Sequence, residues 1–267
     1  MSAERDLAVT APTASGSQTI ATVERAVDVL MLFTRRRAST LGVTEIANEL
    51  SLSKAAVHRI LSSLRGKGLL EVHEESRRYS LGPAALALGR AYLDKLDVRD
   101  LAQSELVALS DATGETATLS IRSGSTRTYV SQVLPDREVK MTVPVGRPFP
   151  LHAGSSSKAF LAFLLEPEID EYLQSPLETL TEMTITDPGA LRADLRRIRK
   201  VGYAVSFGER QAGAGSVAAP VFDHNGRPSA VVSLCGPVER FASEVDDAAK
   251  LLAEATARIS ARLGYTN

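Results

Sequence analysis

The stretch from Leu41 to Tyr79, LGVTEIANELSLSKAAVHRILSSLRGKGLLEVHEESRRY, constrains the fold of this chain more than any other. Val43 to Leu50 sets Ile46, Ala47 and Leu50 on one face, which predicts a short helix with one buried side. Ser51-Leu52-Ser53 interrupts it, with Ser53 a candidate N-cap and Leu52 an apolar pin for the turn. A second helix follows, carrying Ala56, Val57, Ile60, Leu61 and Leu64 at helical spacing and stopping near Gly66 or Gly68. Its other face holds Lys54, Ala55, His58, Arg59 and Ser62, which are small, polar or basic, as entry into a DNA major groove requires. Leu69 to Val72 and Arg78 to Leu81 then read as a hairpin with a charged tip from Glu74 to Arg78. Two helices and a hairpin in this order make a winged helix-turn-helix. A helix pair used only for dimerisation has no need of the Lys54/His58/Arg59 face, so the pattern favours DNA.

The formal net charge of -1 over 267 residues argues by itself against a nucleic-acid binder. The distribution reverses that argument. Residues 19–82 carry ten Lys/Arg against seven Asp/Glu, whereas the rest beyond them carries 20 against 23. A basic head on an acidic body suits one domain that meets phosphate and one that does not. The single cysteine, Cys235, excludes an internal disulfide, and no apolar run approaches the roughly 18 residues of a membrane span. Both point to the cytoplasm. The four histidines, His58, His73, His152 and His224, are scattered, so neither a metal site nor a cofactor is expected.

Residues 1–18 read as a disordered tail, 19–82 as the DNA-binding module, 83–97 as a linker helix and 98–267 as a larger domain. Ile20 to Arg36 predicts a first helix burying Val23, Ala26, Val27, Leu30 and Phe33, capped by Thr19 or Thr22 and closed by Arg35-Arg36-Arg37. Pro83 opens a helix from Ala84 to about Tyr92, apolar over much of its girth. Another spans about Val98 to Thr113. Beyond it, Thr116–Arg122, Thr128–Leu134, Val139–Val143, Ser216–Phe222 and Ser229–Leu234 read as strands, the last two joined by the Asp223-His224-Asn225-Gly226 turn. Helices are predicted over Lys158–Leu165, Gly189–Lys200 and Ser243–Leu263. The fold class is α+β: a mixed antiparallel sheet flanked by helices.

Three places in the larger domain put small polar groups where burial is expected. Gly154 to Ser157 precedes a helix, whose N-terminus favours anions. Ser233 and Cys235 lie two apart and so face one side of a strand, with Leu234 on the other. Ser216 begins the neighbouring strand, after Gly213 and Gly215. These groups are placed to converge on a carboxylate or carbonyl, although each serine alone can also satisfy its own backbone.

Five ordered motifs, SLSKAAVHRILSSL, RRYSLGPAALALG, PLHAGSSSKAFLAF, GYAVSFGERQAGAGSVAAPVFDHNGRP and VVSLCGP, make the chain resemble IclR-family transcriptional regulators over nearly its whole length. The resemblance implies a winged helix, a linker helix and a C-terminal GAF-like effector-binding and oligomerisation domain. It also implies homodimers or homotetramers on palindromic double-stranded operators, answering to small organic acids of carbon or aromatic catabolism. The DNA-binding set it implies, with the face above, is Ser53, Lys54, Ala55, His58 and Arg59, with Arg77 and Arg78 on the wing. The effector set is Ser155, Ser156, Ser206, Ser216, Ser233 and Cys235. Where family members that bind small keto acids often carry an acidic residue, this chain has Ser206, which speaks against that ligand class. No Arg or Lys falls in the matched set, so hydroxyls and backbone N–H groups are expected to hold an acid. Two other readings compete: a DNA-binding scaffold whose C-terminal domain only oligomerises, and a hydrolase using Ser155 or Ser156 with His152. The second lacks a GxSxG elbow and a placed third member, so no catalytic residue is expected.

Overall fold

Residues 20–35, 40–93 and 97–266 are described by a computed structural model, in which the chain divides into two units, Met1–Asp94 and Lys95–Asn267. The expected tail, the Thr19 cap and the Arg36-Arg37 helix end lie outside the described residues.

The first unit holds α1 (Ala21–Arg35), α2 (Val43–Glu49), α3 (Lys54–Gly66), β1 (Leu70–His73), β2 (Arg78–Leu81) and α4 (Pro83–Leu93). Ser53 caps α3 by accepting the Ala56 N–H at 3.2 Å. Val57, Ile60, Leu61 and Leu64 turn the inner face of α3 onto Val29, Leu32, Phe33, Ile46 and Leu70. Each such side chain contributes about 1.5–3 kcal/mol by leaving water. The buried stripe of α1 differs from the one expected. Val29, Leu32 and Phe33 enter the core, whereas Val23 and Val27 are 57% and 50% exposed. α1 is apolar on two faces, and one module core has room for only one of them.

The wing is a short antiparallel ladder pairing Leu70 with Leu81 and His73 with Arg78. Leu41, in the loop before α2, bridges to Tyr79, so the hairpin is stitched to the helix pair. On α4, Leu86 and Leu88 are 68% and 64% exposed.

The second unit runs α5 (Val98–Thr113), β3 (Thr116–Ser123), β4 (Thr126–Val133), β5 (Pro148–Pro150), α6 (Ser155–Ala162), α7 (Glu166–Leu173), α8 (Pro188–Val201), β6 (Ala204–Phe207), β7 (Ala214–Phe222), β8 (Pro228–Pro237) and α9 (Val238–Arg262). Its six strands form one antiparallel sheet in the order β5-β4-β3-β8-β7-β6, so the fold is α+β. Alternation divides each strand between two faces. Ala117, Leu119, Val217, Val232 and Leu234 pack with Leu106 of α5 and with Leu252 and Ile259 of α9. On the opposite face Ala204, Ala218 and Val231 meet Phe160 and Leu161 of α6 and Leu191 and Ile198 of α8.

Several expectations for this unit change, and β5 adds an edge strand where none was expected. Val139–Val143 is not a strand, because side chains take its backbone groups. Gln132 Oε1 accepts the Val143 N–H at 3.1 Å, and Thr116 Oγ1 donates to the Met141 carbonyl at 2.5 Å. α6 begins at Ser155 rather than Lys158, which puts all three serines in its first turn. α7 was not expected at all; Glu168 closes back on the Leu165 N–H at 3.2 Å, and only Ile169 of its residues is buried.

Candidate functional site

The first unit presents one polar face. Lys54, Ala55, His58, Arg59 and Ser62 are all exposed on α3, opposite its buried apolar positions. Ser53 stands at the head of that face, its oxygen committed to the cap. At the wing tip Arg77 is exposed beside Glu74 at 3.5 Å, with a positive φ of 54°. Arg78 is engaged inside the module. Its Nε donates to Thr40 Oγ1 at 3.0 Å, its Nη2 donates to the Thr40 carbonyl at 3.1 Å, and both Nη atoms reach the Glu45 carboxylate at 3.2 and 2.8 Å. Glu45 also accepts the Gly42 N–H at 2.9 Å. Arg78, read from the sequence as a DNA-gripping residue, therefore straps β2 to the start of α2.

In the second unit the structure brings Ser155, Ser156, Ser206, Ser216, Ser233 and Cys235 to one cleft. Gly154 makes the entrance to α6 possible, with φ +88° and the Arg210 Cβ within 3.3 Å of where its own Cβ would stand. Ser155 Oγ donates to Ser216 Oγ at 2.7 Å, and Ser156 Oγ to Ser233 Oγ at 2.9 Å; Ser233 is also 2.6 Å from Thr118 Oγ1. Ser206 sits across from Ser216 in the β6–β7 ladder and lines the cleft. The free space inside the cleft measures about 20 Å³, room for a single water. Burial pushes the Cys235 thiol up to about 12, so it stays neutral.

Sequence reasoning missed the charged members. Arg127 and Arg210 both line the cleft, which corrects the expectation that no cation is available to an acid. Arg127 is 1% exposed. Its Nε donates to Ser157 Oγ at 2.7 Å, one Nη to Ser120 Oγ at 3.2 Å and the other to Tyr129 OH at 3.1 Å. Its guanidinium lies 4.2 Å from the Tyr129 ring centre and 5.2 Å from that of Phe149; Arg210 approaches the same two rings at 5.8 and 5.0 Å. Burial is the main cause that lowers the Arg127 pKa from its ordinary value. Glu209 is the acid in the lining, and it is spoken for: Lys158 Nζ reaches it at 2.5 Å and the Gly154 N–H at 3.1 Å. Lys158 also reaches Asp194 at 2.8 Å, tying α6 to α8.

The serine–histidine pairing does not form. His152 uses its two ring nitrogens on Tyr172 OH and the Glu178 carbonyl, while Ser155 and Ser156 turn to Ser216 and Ser233. Among the described residues no cluster of His, Cys, Asp and Glu is arranged to hold a metal, and no helix is long and apolar enough to cross a membrane.

Comparison with known proteins gives two matches along the chain. The bacterial transcriptional regulator IclR C-terminal family matches residues 90–261, and the IclR helix-turn-helix domain matches residues 22–74. The regulator BhcR of Paracoccus denitrificans is 36% identical over 228 residues, covering 85% of this chain and 81% of that protein. A solved IclR transcriptional regulator from Silicibacter sp. TM1040 is similar with a TM-score of 0.83 at 27% identity, over 92% of this chain and 97% of its own. HmgR of Pseudomonas aeruginosa gives a TM-score of 0.79 at 31% identity, over 93% and 100%.

Proposed function

The chain belongs to the IclR family of bacterial transcriptional regulators, and from that premise we propose how its own residues divide the work. It is a DNA-binding regulator and not an enzyme, as its relatives are. Ser53, Lys54, Ala55, His58 and Arg59 bring α3 into the major groove, and Arg77 at the wing tip meets the backbone or minor groove. Two copies bind a palindromic operator. The apolar outer face of α1, with Val23, Val27 and Met31 exposed, Ile20 just ahead of it, and Leu86 and Leu88 of α4 supply a surface for that pairing. A small organic acid of carbon or aromatic catabolism occupies the cleft of the second unit, in the cytoplasm, and shifts the population of DNA-binding geometries.

One observation carries the effector part. Groups from α6, β6, β7 and β8, far apart in sequence, converge on a single polar cleft. The hydroxyl pairs that close it favour a second reading, in which the unit only oligomerises; that reading leaves the buried Arg127 cation unexplained.

Fluorescence anisotropy on DNA from upstream of the chain's own gene, at two salt concentrations, tests both parts. Arg59→Ala is expected to lose about 1–3 kcal/mol of operator affinity; undiminished binding would remove Arg59 from the reading face. An acid that changes operator affinity several-fold supports the effector reading, and indifference to aliphatic and aromatic acids alike supports the oligomerising one.

A further inference from the structure

Building on the effector reading, we propose that Arg127 anchors the effector's carboxylate through a buried ion pair, with Arg210 closing on the same charge from the rim. Three observations lead there. Arg127 is fully buried, yet its hydrogen-bond partners are the hydroxyls of Ser157, Ser120 and Tyr129. Among the described residues no carboxylate comes within ion-pair distance of it. A guanidinium has five N–H donors, so three such bonds leave donors to spare. A buried charge without a counter-charge is costly, and chains keep one where something outside the chain supplies the partner.

The groups around it do not supply that partner. Glu209 is neutralised by Lys158, which Asp194 shares, and Asp194 is paired with Arg197 in turn. The Cys235 thiol carries no charge. Arg210 adds a second cation over the same two rings, and its hydrogen bond is a long one, 3.5 Å, to Gln211 Oε1. Two guanidiniums facing one cleft repel one another until an anion lies between them. The hydroxyls of Ser206 and of the paired serines are then left for the other end of the molecule. The carboxylate is thus read by charge, not by hydroxyls and helix N–H groups alone.

Thermal melting of the full-length protein tests this with acetate, lactate, succinate and benzoate. Each is compared with its amide and with sodium chloride at matched ionic strength. At least one acid is expected to raise the wild-type melting temperature with dose while its amide does not. Arg127→Gln and Arg127→Met are expected to weaken that acid tenfold or more, the loss typical of a charged hydrogen bond left unmade. Arg127→Lys is expected to retain part of the response. Each variant is compared with its own ligand-free melting temperature, because removing Arg127 also takes a donor from the buried hydroxyls of Ser157, Ser120 and Tyr129. Equal response to acid and amide, or wild-type acid affinity in Arg127→Gln, overturns the anchor while the effector reading stands. Silence of the wild type to every acid removes the effector reading itself.

Discussion

Glu45 is an acid in a module that meets phosphate, so simple electrostatics predicts that neutralising it strengthens DNA binding. The structure predicts the opposite sign. Glu45 holds Arg78 in a two-pronged pair and accepts the Gly42 N–H, so it fixes the wing against the first turn of α2. The side chains are 37% and 46% exposed, which limits the pair to about 0.2–1 kcal/mol of stability after screening. Its effect on DNA comes through position. A wing that swings free withdraws Arg77 from the backbone, and losing one such contact costs about 1 kcal/mol, or about fivefold in affinity. Against this, removing one negative charge about 10 Å from a phosphate gains at most about 0.4 kcal/mol in water. Glu45→Gln is therefore expected to bind operator about three- to fivefold more weakly. Arg78→Ala should do the same, and the double variant should be little worse than either single one. The salt dependence tests whether strap and contact act together. Arg77→Ala and Arg78→Ala are each expected to flatten the slope of log K against log salt by about 0.9, and the Arg77→Ala/Arg78→Ala double variant by no more, because strap and tip serve one phosphate contact. Anisotropy titrations between 50 and 200 mM salt, as about the range where the slope is steep, measure all of these. Tighter binding by Glu45→Gln, or a double variant whose slope flattens by about twice the single one, would refute the reasoning.

Lys158→Met is expected to lower stability by about 3–5 kcal/mol in urea unfolding, since it leaves Glu209 buried without its cation while the half-buried Asp194 keeps only Arg197; a loss under about 1 kcal/mol would mean the pair is dispensable. Burial by itself pushes the Asp194 carboxyl up, but bonds from Lys158 and Arg197 outweigh it and hold the carboxyl below its ordinary 3.8. Its contribution is then full above that value and is lost as pH falls through the lower folded one, so Asp194→Asn should show a shallower acid limb in stability against pH. The Cys235 thiol, neutral and buried, is expected to react with a maleimide at pH 8 only as fast as the protein opens; rapid labelling of the native state would contradict the burial. Val27→Asp is expected to convert dimers to monomers in sedimentation, and an unchanged mass would place the dimer contact elsewhere.

What the sequence made legible was decided by spacing. In α3 the apolar positions and the polar face interleave over three turns, so both helix and face can be read from residues 54–66. The pair Ser233 and Cys235 follows from the two-residue period of a strand, and the register that sets Cys235 beside Ser216 follows from the hairpin turn. Arg127 was missed for a local reason. A strand taken to begin at Thr128 leaves Arg127 in the preceding turn, whereas the ladder extends to Thr126 and carries Arg127 onto the same face as Tyr129. The tie from Arg78 to Glu45 was not legible because the two lie 33 residues apart, and a separation like that has no signature in a single chain. α1 shows the same limit from another side: two apolar faces are legible, but which one enters the core depends on the neighbours.

Thr116, Thr118 and Ser120 alternate with Ala117, Leu119 and Ile121, and such alternation ordinarily means one face in water. Here all three polar residues are buried, because α6 and the 139–143 segment lie over that face. Hydroxyls taken from water need partners, and in the closed cleft they find one another: Ser155 with Ser216, Ser156 with Ser233 and Thr118. These bonds are also what holds the first turn of α6 to β7 and β8. A guest that offers oxygen to the serines and charge to Arg127 and Arg210 replaces bonds that now fasten α6 to the sheet. On the effector reading, occupancy of the cleft and the position of α6 are linked, and a ligand moves that balance only as far as it prefers one arrangement over the other.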